Sequence, residues 1–243
     1  MRKKIFSQLI KAAQTRMKTT RDPIHDETHA ARTAQYVQIL IQDMRISAEH
    51  TQALLIAAWW HDVARTITNK PSFVWMPFID DILSAIMLWW HILRTGSRCD
   101  TTRFAVRLIA CKGMGTGAFL TRILIQKRHR ILVDLIRDAD KLDFFTIERM
   151  AKVLEVTSSS LIYHVGYRVG YRWCTNTNYV KMKTKAAKKY IIFLLQQFLS
   201  WLKQPIIYTW HTEQFGKLWT QKTLHRIERM MQRLTLKLSS ATV

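Results

Sequence analysis

The sequence predicts an all-α protein, and three observations support this prediction. Only 7 glycines and 4 prolines occur in 243 residues, whereas sheet proteins need many tight turns, which draw heavily on these two residues. Helix-favouring residues such as Leu, Ala, Lys, Arg and Gln are abundant. Apolar side chains recur in steps of three and four residues, as on one face of a helix. Because 48% of the residues are apolar, the chain can bury a sizeable core.

The apolar pattern predicts helices over 1–18, 27–44, 51–64, 78–93, 103–111, 118–127, 131–137, 141–156, 183–203 and 213–236. The segment 51–64 is apolar almost all round, which is typical of a central, buried helix. Residues 166–180 include two glycines and are predicted to hold a loop. No internal repeat or linker is evident. The chain is therefore predicted to be one domain, 1–243, with a core over about 20–150 and a helical extension over about 151–243.

The charge of the chain is strongly basic and uneven. Lys and Arg number 38 against 17 Asp and Glu, which gives a net charge of +21. Residues 1–21 carry seven basic and no acidic side chains, and residues 178–243 carry twelve basic and two acidic ones. Such ends suit nucleic acid, anionic lipid or another polyanion as a partner, but a solvated basic exterior explains them at least as well.

Cysteine usage and hydropathy bear on location. Cys99, Cys111 and Cys174 show no paired spacing, so neither a disulfide framework nor a zinc cluster is expected. No run reaches the roughly 18–20 apolar residues that span a bilayer, so no transmembrane segment is predicted. The basic N-terminal segment lacks the continuous apolar centre of a secretory signal, although an organellar transit peptide shares its composition. A cytoplasmic location is predicted.

Four positions point to a metal site: His29, the doublet His61–Asp62, and Asp140. Imidazole nitrogens and carboxylate oxygens are ligands that divalent metals take, leaving open positions for water or substrate. Asp62 follows a long apolar stretch, where an ionised carboxylate costs several kcal/mol unless a cation compensates it. Adjacent helical residues point about 100° apart, so the doublet can share a metal only near a helix end. Each residue alone is more often structural or a cap, whereas this combination is uncommon.

These motifs resemble those of the HD superfamily of metal-dependent phosphohydrolases. RDPIHDETHAARTAQYVQ is similar to the first motif, with His29 at the ligand position. LLIAAWWHDVA resembles the helix of the His–Asp doublet, and IRDADKLDFF the final motif, with Asp140 as ligand. The resemblance covers roughly residues 20–150 and is nearest to a small bacterial branch with a further histidine four residues before the first ligand, as His25 is here. It implies an HD-domain helical bundle, here with a C-terminal helical extension.

The resemblance also implies an activity, namely hydrolysis of a phosphate ester or anhydride of a nucleotide or another small phosphorylated metabolite. One divalent ion (Mn, Fe, Ni, Co, Mg or Zn) would be held by His29, His61, Asp62 and Asp140 and would lower the pKa of a bound water. Asp62 and His25 are the candidate catalytic residues. If the helix already begins at His25, this residue lies one helical turn before His29 on the same face and would orient a ligand, contact substrate or relay a proton; alternatively it only caps or packs.

The chain departs from the family pattern at two places near these motifs. Members with two metals carry further histidines between the doublet and the last Asp, and Lys112 stands at the matching place, which favours a single metal. Lys112 is a candidate contact for substrate phosphate, or else a solvated loop lysine. Arg65, which stands where some members have a Glu, and Lys141, which follows Asp140, are further candidate substrate contacts.

Other polar features receive structural interpretations. KGMGTG lacks the Gly-Lys-Ser/Thr ending of a nucleotide phosphate loop. His91 and His129 are predicted to be structural or exposed. Asp138 is interpreted as a helix cap, and Asp143 as a hydrogen-bond acceptor for a ligand or an arginine. An aromatic face over 190–201 is interpreted as packing, with a homodimer or membrane-surface face as the alternative.

Three functions remain in competition at the level of sequence. The first is a single-metal phosphohydrolase acting on a small phosphorylated substrate. The second is a catalytically degenerate HD domain that binds nucleic acid through its basic termini, and the departures at Arg65 and Lys112 motivate it. The third is a nuclease-like phosphodiesterase, which would combine the metal site with the basic surface. The intact set of four ligand positions favours an enzyme.

Overall fold

The computed structural model describes residues 2–68, 79–113, 115–175 and 181–239. Within them it contains twelve α-helices and no strand, so the predicted all-α class is confirmed. The helices are α1 (Arg2–Met17), α2 (Glu27–Ile41), α3 (Ala48–Trp60), α4 (Asp80–Arg94), α5 (Asp100–Lys112), α6 (Thr116–Leu124), α7 (Arg130–Asp143), α8 (Ile147–Ser159), α9 (Leu161–Cys174), α10 (Lys185–Leu202), α11 (Pro205–Phe215) and α12 (Lys217–Ser239). None of these helices is long and apolar enough to cross a membrane.

The helices form two compact units, residues 1–143 and 144–243. The first unit holds α1 to α7, and the second holds α8 to α12. The division lies close to residue 150, where the sequence places the end of the core. All four predicted metal ligands belong to the first unit.

Helix α3 is the centre of the first unit. It begins at the N-cap Ser47, whose hydroxyl accepts a hydrogen bond from the backbone N–H of His50. Its buried side chains point to several sides of the helix, and it packs against α1, α2, α4, α5 and α7. At its end, the indole Nε1 of Trp60 donates a hydrogen bond to the carbonyl of Leu9 in α1. The prediction of a buried central helix is therefore confirmed.

Helix α7 is continuous where the sequence predicts a break near residue 138. Its buried apolar residues continue through that point at Leu135, Ala139 and Leu142. Asp138 is fully buried inside the helix, so its interpretation as a cap is wrong. Asp140 lies in the last turn of α7 rather than at the start of a later helix. The acidic residues interrupt the apolar pattern of the sequence, but they lie in the same helix as the apolar residues.

Helix α9 replaces most of the loop that is predicted over 166–180. Tyr163, Tyr167 and Tyr171 recur every fourth residue and are buried, which is the signature of one helix face. The two glycines suggested a loop, but tertiary packing of the tyrosines outweighs their low helix propensity. Residues 176–180 lie outside the described residues, as does Phe78, the predicted start of α4.

Two helices follow Pro205, and the break between them lies at Gly216 rather than before Glu213. Pro205 occupies the first turn of α11, where its missing N–H has no intrahelical partner to lose. Gly216 has φ of +85°, a left-handed conformation that glycine adopts without steric cost. The single helix predicted over 213–236 is therefore wrong at its N-terminal end.

A buried Tyr–His pair lies at the centre of the second unit. The Nδ1 of His211 donates to the carbonyl of Ile207 at 2.7 Å, so its Nε2 accepts the hydroxyl of Tyr167, also at 2.7 Å. Aromatic rings surround the pair: Tyr171, Trp201, Trp210, Phe215 and Trp219. Burial lowers the pKa of His211, which keeps the imidazole neutral near pH 7.

The lowered pKa of His211 predicts a loss of stability in mild acid. In the unfolded chain His211 takes up a proton as the pH falls through its ordinary value of about 6.5, before the folded form does. The free energy of unfolding therefore falls below that pH. Thermal unfolding between pH 7.5 and 5.5, followed by Trp fluorescence, should show a larger drop in Tm for wild type than for His211→Gln.

The control for this experiment is His225→Gln, at a position of the same unit whose side chain is 73% exposed. Its drop in Tm is compared with those of wild type and His211→Gln. Equal drops in Tm for wild type and His211→Gln would contradict the assignment of a neutral, buried His211.

Candidate metal centre

The four predicted ligands converge in the first unit from three helices. His29 is in the first turn of α2, His61 and Asp62 directly follow the last residue of α3, and Asp140 is in the last turn of α7. The Nε2 atoms of His29 and His61 lie 3.1 Å apart. Oδ2 of Asp62 lies 3.2 Å from the first and 3.4 Å from the second, and Oδ1 of Asp140 lies at 3.4 and 3.7 Å.

Helix ends place these side chains. The carboxylate of Asp26 caps α2 by accepting the backbone N–H of His29 at 3.0 Å, which fixes the first turn. His61 is the C-cap of α3, and Asp62 leaves the helix at φ −109° and ψ 10° before a 3-10 turn over Val63–Ile67. The change of direction lets two adjacent residues face one point. The prediction that the doublet lies at a helix end is confirmed.

The hydrogen bonds of the two histidines fix their tautomers. Nδ1 of His29 lies 2.7 Å from Oδ2 of Asp143, and Nδ1 of His61 lies 2.8 Å from the carbonyl of Ala58. Both partners are acceptors, so each Nδ1 carries the hydrogen and each neutral Nε2 presents a lone pair. Two lone pairs 3.1 Å apart repel each other unless a cation or proton lies between them.

The donor set fits a divalent metal ion. One ligand atom each of His29, His61 and Asp140 lies within 4.8 Å of the others, and Asp62 adds an oxygen beside both imidazoles. Two imidazole nitrogens and two carboxylate oxygens are a common set for Mn, Fe, Co, Ni or Zn. Three of the side chains are buried, whereas that of Asp140 is 27% exposed. Solvent therefore reaches the centre from the side of Asp140.

The electrostatics of the centre without a metal also favour a positive charge there. Burial lowers the pKa of His61, but the charge of Asp62 and the hydrogen bonds to Asp140 and Asp62 together outweigh burial and raise the pKa to about 10. Burial would raise the pKa of Asp62 and of Asp140, but nearby positive charge, led by Arg65 and Lys112 respectively, holds both pKa values well below their usual range. The site attracts positive charge, and a metal ion would displace the proton of His61.

Asp143 binds the Nδ1 side of His29, opposite the Nε2 that faces the centre. Its carboxylate accepts the Nδ1–H of His29 and pairs with the guanidinium of Arg32, through Nε and, at 3.2 Å, through Nη2. The carboxylate is fully buried. The prediction that Asp143 accepts a hydrogen bond from an arginine is confirmed by Arg32, and Asp143 also accepts one from His29, a predicted ligand. Such a partner orients an imidazole and raises its basicity toward a metal.

Arg65 lies between two carboxylates. Its Nε lies 3.1 Å from Oδ1 of Asp62, and its Nη2 pairs with Asp80 at the start of α4. Nη1 lies 3.2 Å from Nδ1 of His25, which is itself 3.1 Å from Oδ2 of Asp22. Burial and the charge of Arg65 lower the pKa of His25 to about 4, so this imidazole is neutral at pH 7. Arg65 is therefore engaged with a candidate metal ligand.

His25 lies outside α2, which begins at Glu27, so the condition for a position one helical turn before His29 is not met. The rings of His25 and His29 nevertheless meet edge to face, with centroids 5.5 Å apart. His25 therefore belongs to the site, and its catalytic role remains a prediction.

Lys112, the last residue of α5, lies at the open side of the centre. Its Nζ lies 2.8 Å from Oδ2 of Asp140 and 3.2 Å from Oδ1 of Asp81, and its side chain is only 10% exposed. The interpretation as a solvated loop lysine is therefore wrong. Burial raises the pKa of Asp81, and Lys112 opposes that shift.

The structure also places the other residues that the sequence analysis considers, Lys141, His91 and His129. Lys141 follows Asp140 on α7 and is half-buried, and its contact with substrate remains a prediction. His91 packs beside the indole of Trp60, with centroids 5.2 Å apart, and His129 lies 4.6 Å from the ring of His50. These ring contacts are consistent with the prediction that both histidines are structural or exposed.

Sequence reasoning misses the pair Asp80–Asp81, which pairs with Arg65 and Lys112. Two carboxylates before an apolar run look like an ordinary acidic first turn of a helix. The available signal was the run itself, because acidic residues directly before a buried helix need positive partners. Arg32, one helical turn after His29, is also missed.

Comparison with known proteins adds no family to this description. No protein-family model matches the chain, and neither a curated protein nor a solved structure matches it. The resemblance to the HD superfamily therefore depends on the motifs around His29, His61 and Asp140 and remains a prediction.

Replacement of Asp143 by Asn should weaken metal binding by about 10–100-fold, because the amide no longer neutralises Arg32 or holds the Nδ1–H of His29 as strongly. Isothermal titration with Mn²⁺ measures the affinity. Asp100→Asn is the matched control, because its carboxylate is 90% exposed and pairs with Arg103 on the surface. An unchanged affinity in Asp143→Asn would refute a supporting role for Asp143.

Proposed function

We propose that this chain is a metal-dependent phosphohydrolase that cleaves a phosphate ester or anhydride of a nucleotide or another small phosphorylated metabolite. The observation that carries the proposal is the convergence of His29, His61, Asp62 and Asp140, with two Nε2 lone pairs directed at one point. The buried lone pairs and carboxylates are stabilised by a proton or a metal cation between them, and this donor set suits a first-row divalent ion.

A bound divalent ion would supply a water of lowered pKa and would polarise a phosphoryl oxygen. The residues of the chain then have distinct tasks. Asp143 keeps the Nε2 of His29 available by holding its Nδ1–H, and the carbonyl of Ala58 does the same for His61. The partly exposed side of Asp140 is where a phosphorylated substrate can approach. Each of these roles is independent of which nucleotide or metabolite is cleaved.

Among the predicted substrate contacts, His25 and Lys141 are proposed to act near the phosphate. His25 is neutral at pH 7, so it can hydrogen-bond a substrate oxygen or receive a proton, but it does not start as an acid. Arg65 and Lys112 already balance carboxylates, so any contact with phosphate would be shared with those partners. This favours positioning as their main task.

A second candidate is binding of nucleic acid without turnover, favoured by the net charge of +21 and its concentration at the two ends of the chain. The two proposals differ in the laboratory. Binding of a DNA or RNA oligonucleotide that weakens steeply between 50 and 200 mM salt, with no hydrolysis under any divalent metal, would support the second candidate. We expect hydrolysis with metal and only salt-sensitive, non-specific binding, because the complete donor set would be unnecessary for a basic binding module.

His61→Ala should lose bound metal and phosphohydrolase activity together. The substitution removes one of the two imidazole ligands and leaves Asp62 and Asp140 without the charge that His61 or the metal provides. Metal content is measured by elemental analysis after loading with Mn²⁺, Fe²⁺, Co²⁺, Ni²⁺, Mg²⁺ or Zn²⁺. Activity is measured on p-nitrophenyl phosphate, its bis ester and a panel of nucleotides.

His129→Ala is the matched control for this measurement, because His129 lies away from the centre beside His50. It should retain metal and activity. Circular dichroism shows whether each variant keeps its helical content. Full activity in folded His61→Ala would exclude the proposed site.

A further inference from the structure

The ammonium group of Lys112 is held as part of the proposed centre. Its Nζ lies 2.8 Å from Oδ2 of Asp140 and 3.2 Å from Oδ1 of Asp81, and both Lys112 and Asp81 have side chains about nine-tenths buried. A buried ammonium flanked by two carboxylate oxygens has the surroundings of a bound cation. Its charge belongs to the protein and does not dissociate.

Asp140 joins this ammonium to the proposed metal position. Its Oδ1 lies 3.4 Å from Nε2 of His29 and 3.7 Å from Nε2 of His61, whereas its Oδ2 faces Lys112. One carboxylate therefore presents its two oxygens to two neighbouring cation positions. A carboxylate that bridges two metal ions would be used in the same way.

The backbone around Lys112 is fixed. The guanidinium of Arg137 donates to the carbonyls of Cys111 and Lys112, the latter from Nε at 3.1 Å. The next residue, Gly113, lies so close to α4 that a Cβ at this position would be 3.4 Å from Oδ2 of Asp81. The end of α5 is thus fastened to α7 and to Asp81, which sets where the ammonium can reach.

The position between Asp140 and Asp81 already holds a positive charge. Asp62, Asp80, Asp81 and Asp140 are four carboxylates, and Arg65 and Lys112 pair with them. A second divalent ion between Asp140 and Asp81 would have to displace the ammonium from both carboxylates, and the displaced buried charge would lose its partners, which is costly.

We propose that Lys112 fills a second cation position, between Asp140 and Asp81, so that the centre binds one divalent ion beside a permanent ammonium. The proposal rests on the metal centre of the proposed function and specifies its composition. Lys112 is then a positioning residue that orients Asp140 and sets the metal count, and its reach toward a substrate phosphate is secondary. The occupancy of this second position cannot vary with metal concentration.

Replacement of the ammonium by a metal ligand should convert the one-metal centre into a two-metal centre. In Lys112→His the imidazole, Asp81 and Asp140 would offer three donors to a second ion. Saturating Mn²⁺ is added to the full-length protein, and bound Mn²⁺ per chain is measured by elemental analysis after removal of free metal. Electron paramagnetic resonance then distinguishes an isolated Mn²⁺ from a spin-coupled pair, independently of enzymatic activity.

The expected result is one Mn²⁺ per chain in wild type and two in Lys112→His, with a spin-coupled signal in the variant only. Lys112→Gln, which removes the charge without adding a strong ligand, and the double variant Lys112→His/Asp81→Asn should each bind one. Two Mn²⁺ in wild type, or one in folded Lys112→His, would overturn the inference while leaving the phosphohydrolase proposal intact. No Mn²⁺ in wild type would instead contradict the metal centre, and the inference with it. The titration of wild type can by itself overturn the inference, even when a variant does not fold.

Discussion

The 3.1 Å approach of Nε2 in His29 to Nε2 in His61 is the contact on which the rest of the site depends. Each imidazole has its Nδ1–H committed to an acceptor, so the two Nε2 atoms meet as lone pairs. That arrangement is unfavourable for an apoprotein with neutral histidines. A cation between them would reverse the sign of the interaction, and two carboxylates, Asp62 and Asp140, face the same point.

The fold balances the charges of this centre with side chains whose sign alternates with distance from the two histidines. Arg65 and Lys112 balance the two ligand carboxylates, and Asp80 and Asp81 at the start of α4 balance those cations in turn. A buried charge without a partner would cost several kcal/mol, so each layer requires the next. Removal of one member should therefore affect metal binding at a distance from the metal, as expected for Asp143 and Arg32 behind His29. Metal binding and stability are therefore expected to be coupled through these pairs.

The clustering of the candidate ligands was predictable from the order of the residues in the sequence and from their chemistry. The doublet His61–Asp62 follows an apolar helix, and an acidic residue there demands compensation, so its clustering with His29 and Asp140 was predicted correctly. The pairing of Asp80 and Asp81 was not predictable, because it depends on how α4 packs beside the turn after α3. The length of α7 and the helical state of Tyr167 and Tyr171 were mispredicted, because local acidic residues and glycines weigh more in a sequence pattern than in a packed helix.

The most direct test of the account is anomalous X-ray diffraction from crystals of the protein loaded with Mn²⁺ or Co²⁺, recorded on both sides of the metal absorption edge. The account predicts one anomalous peak per chain, bonded to Nε2 of His29 and Nε2 of His61 at about 2.0–2.2 Å, with Asp62 and Asp140 completing the protein ligands. An absence of anomalous density between these two nitrogens in metal-saturated crystals, or a metal bound elsewhere, would contradict it.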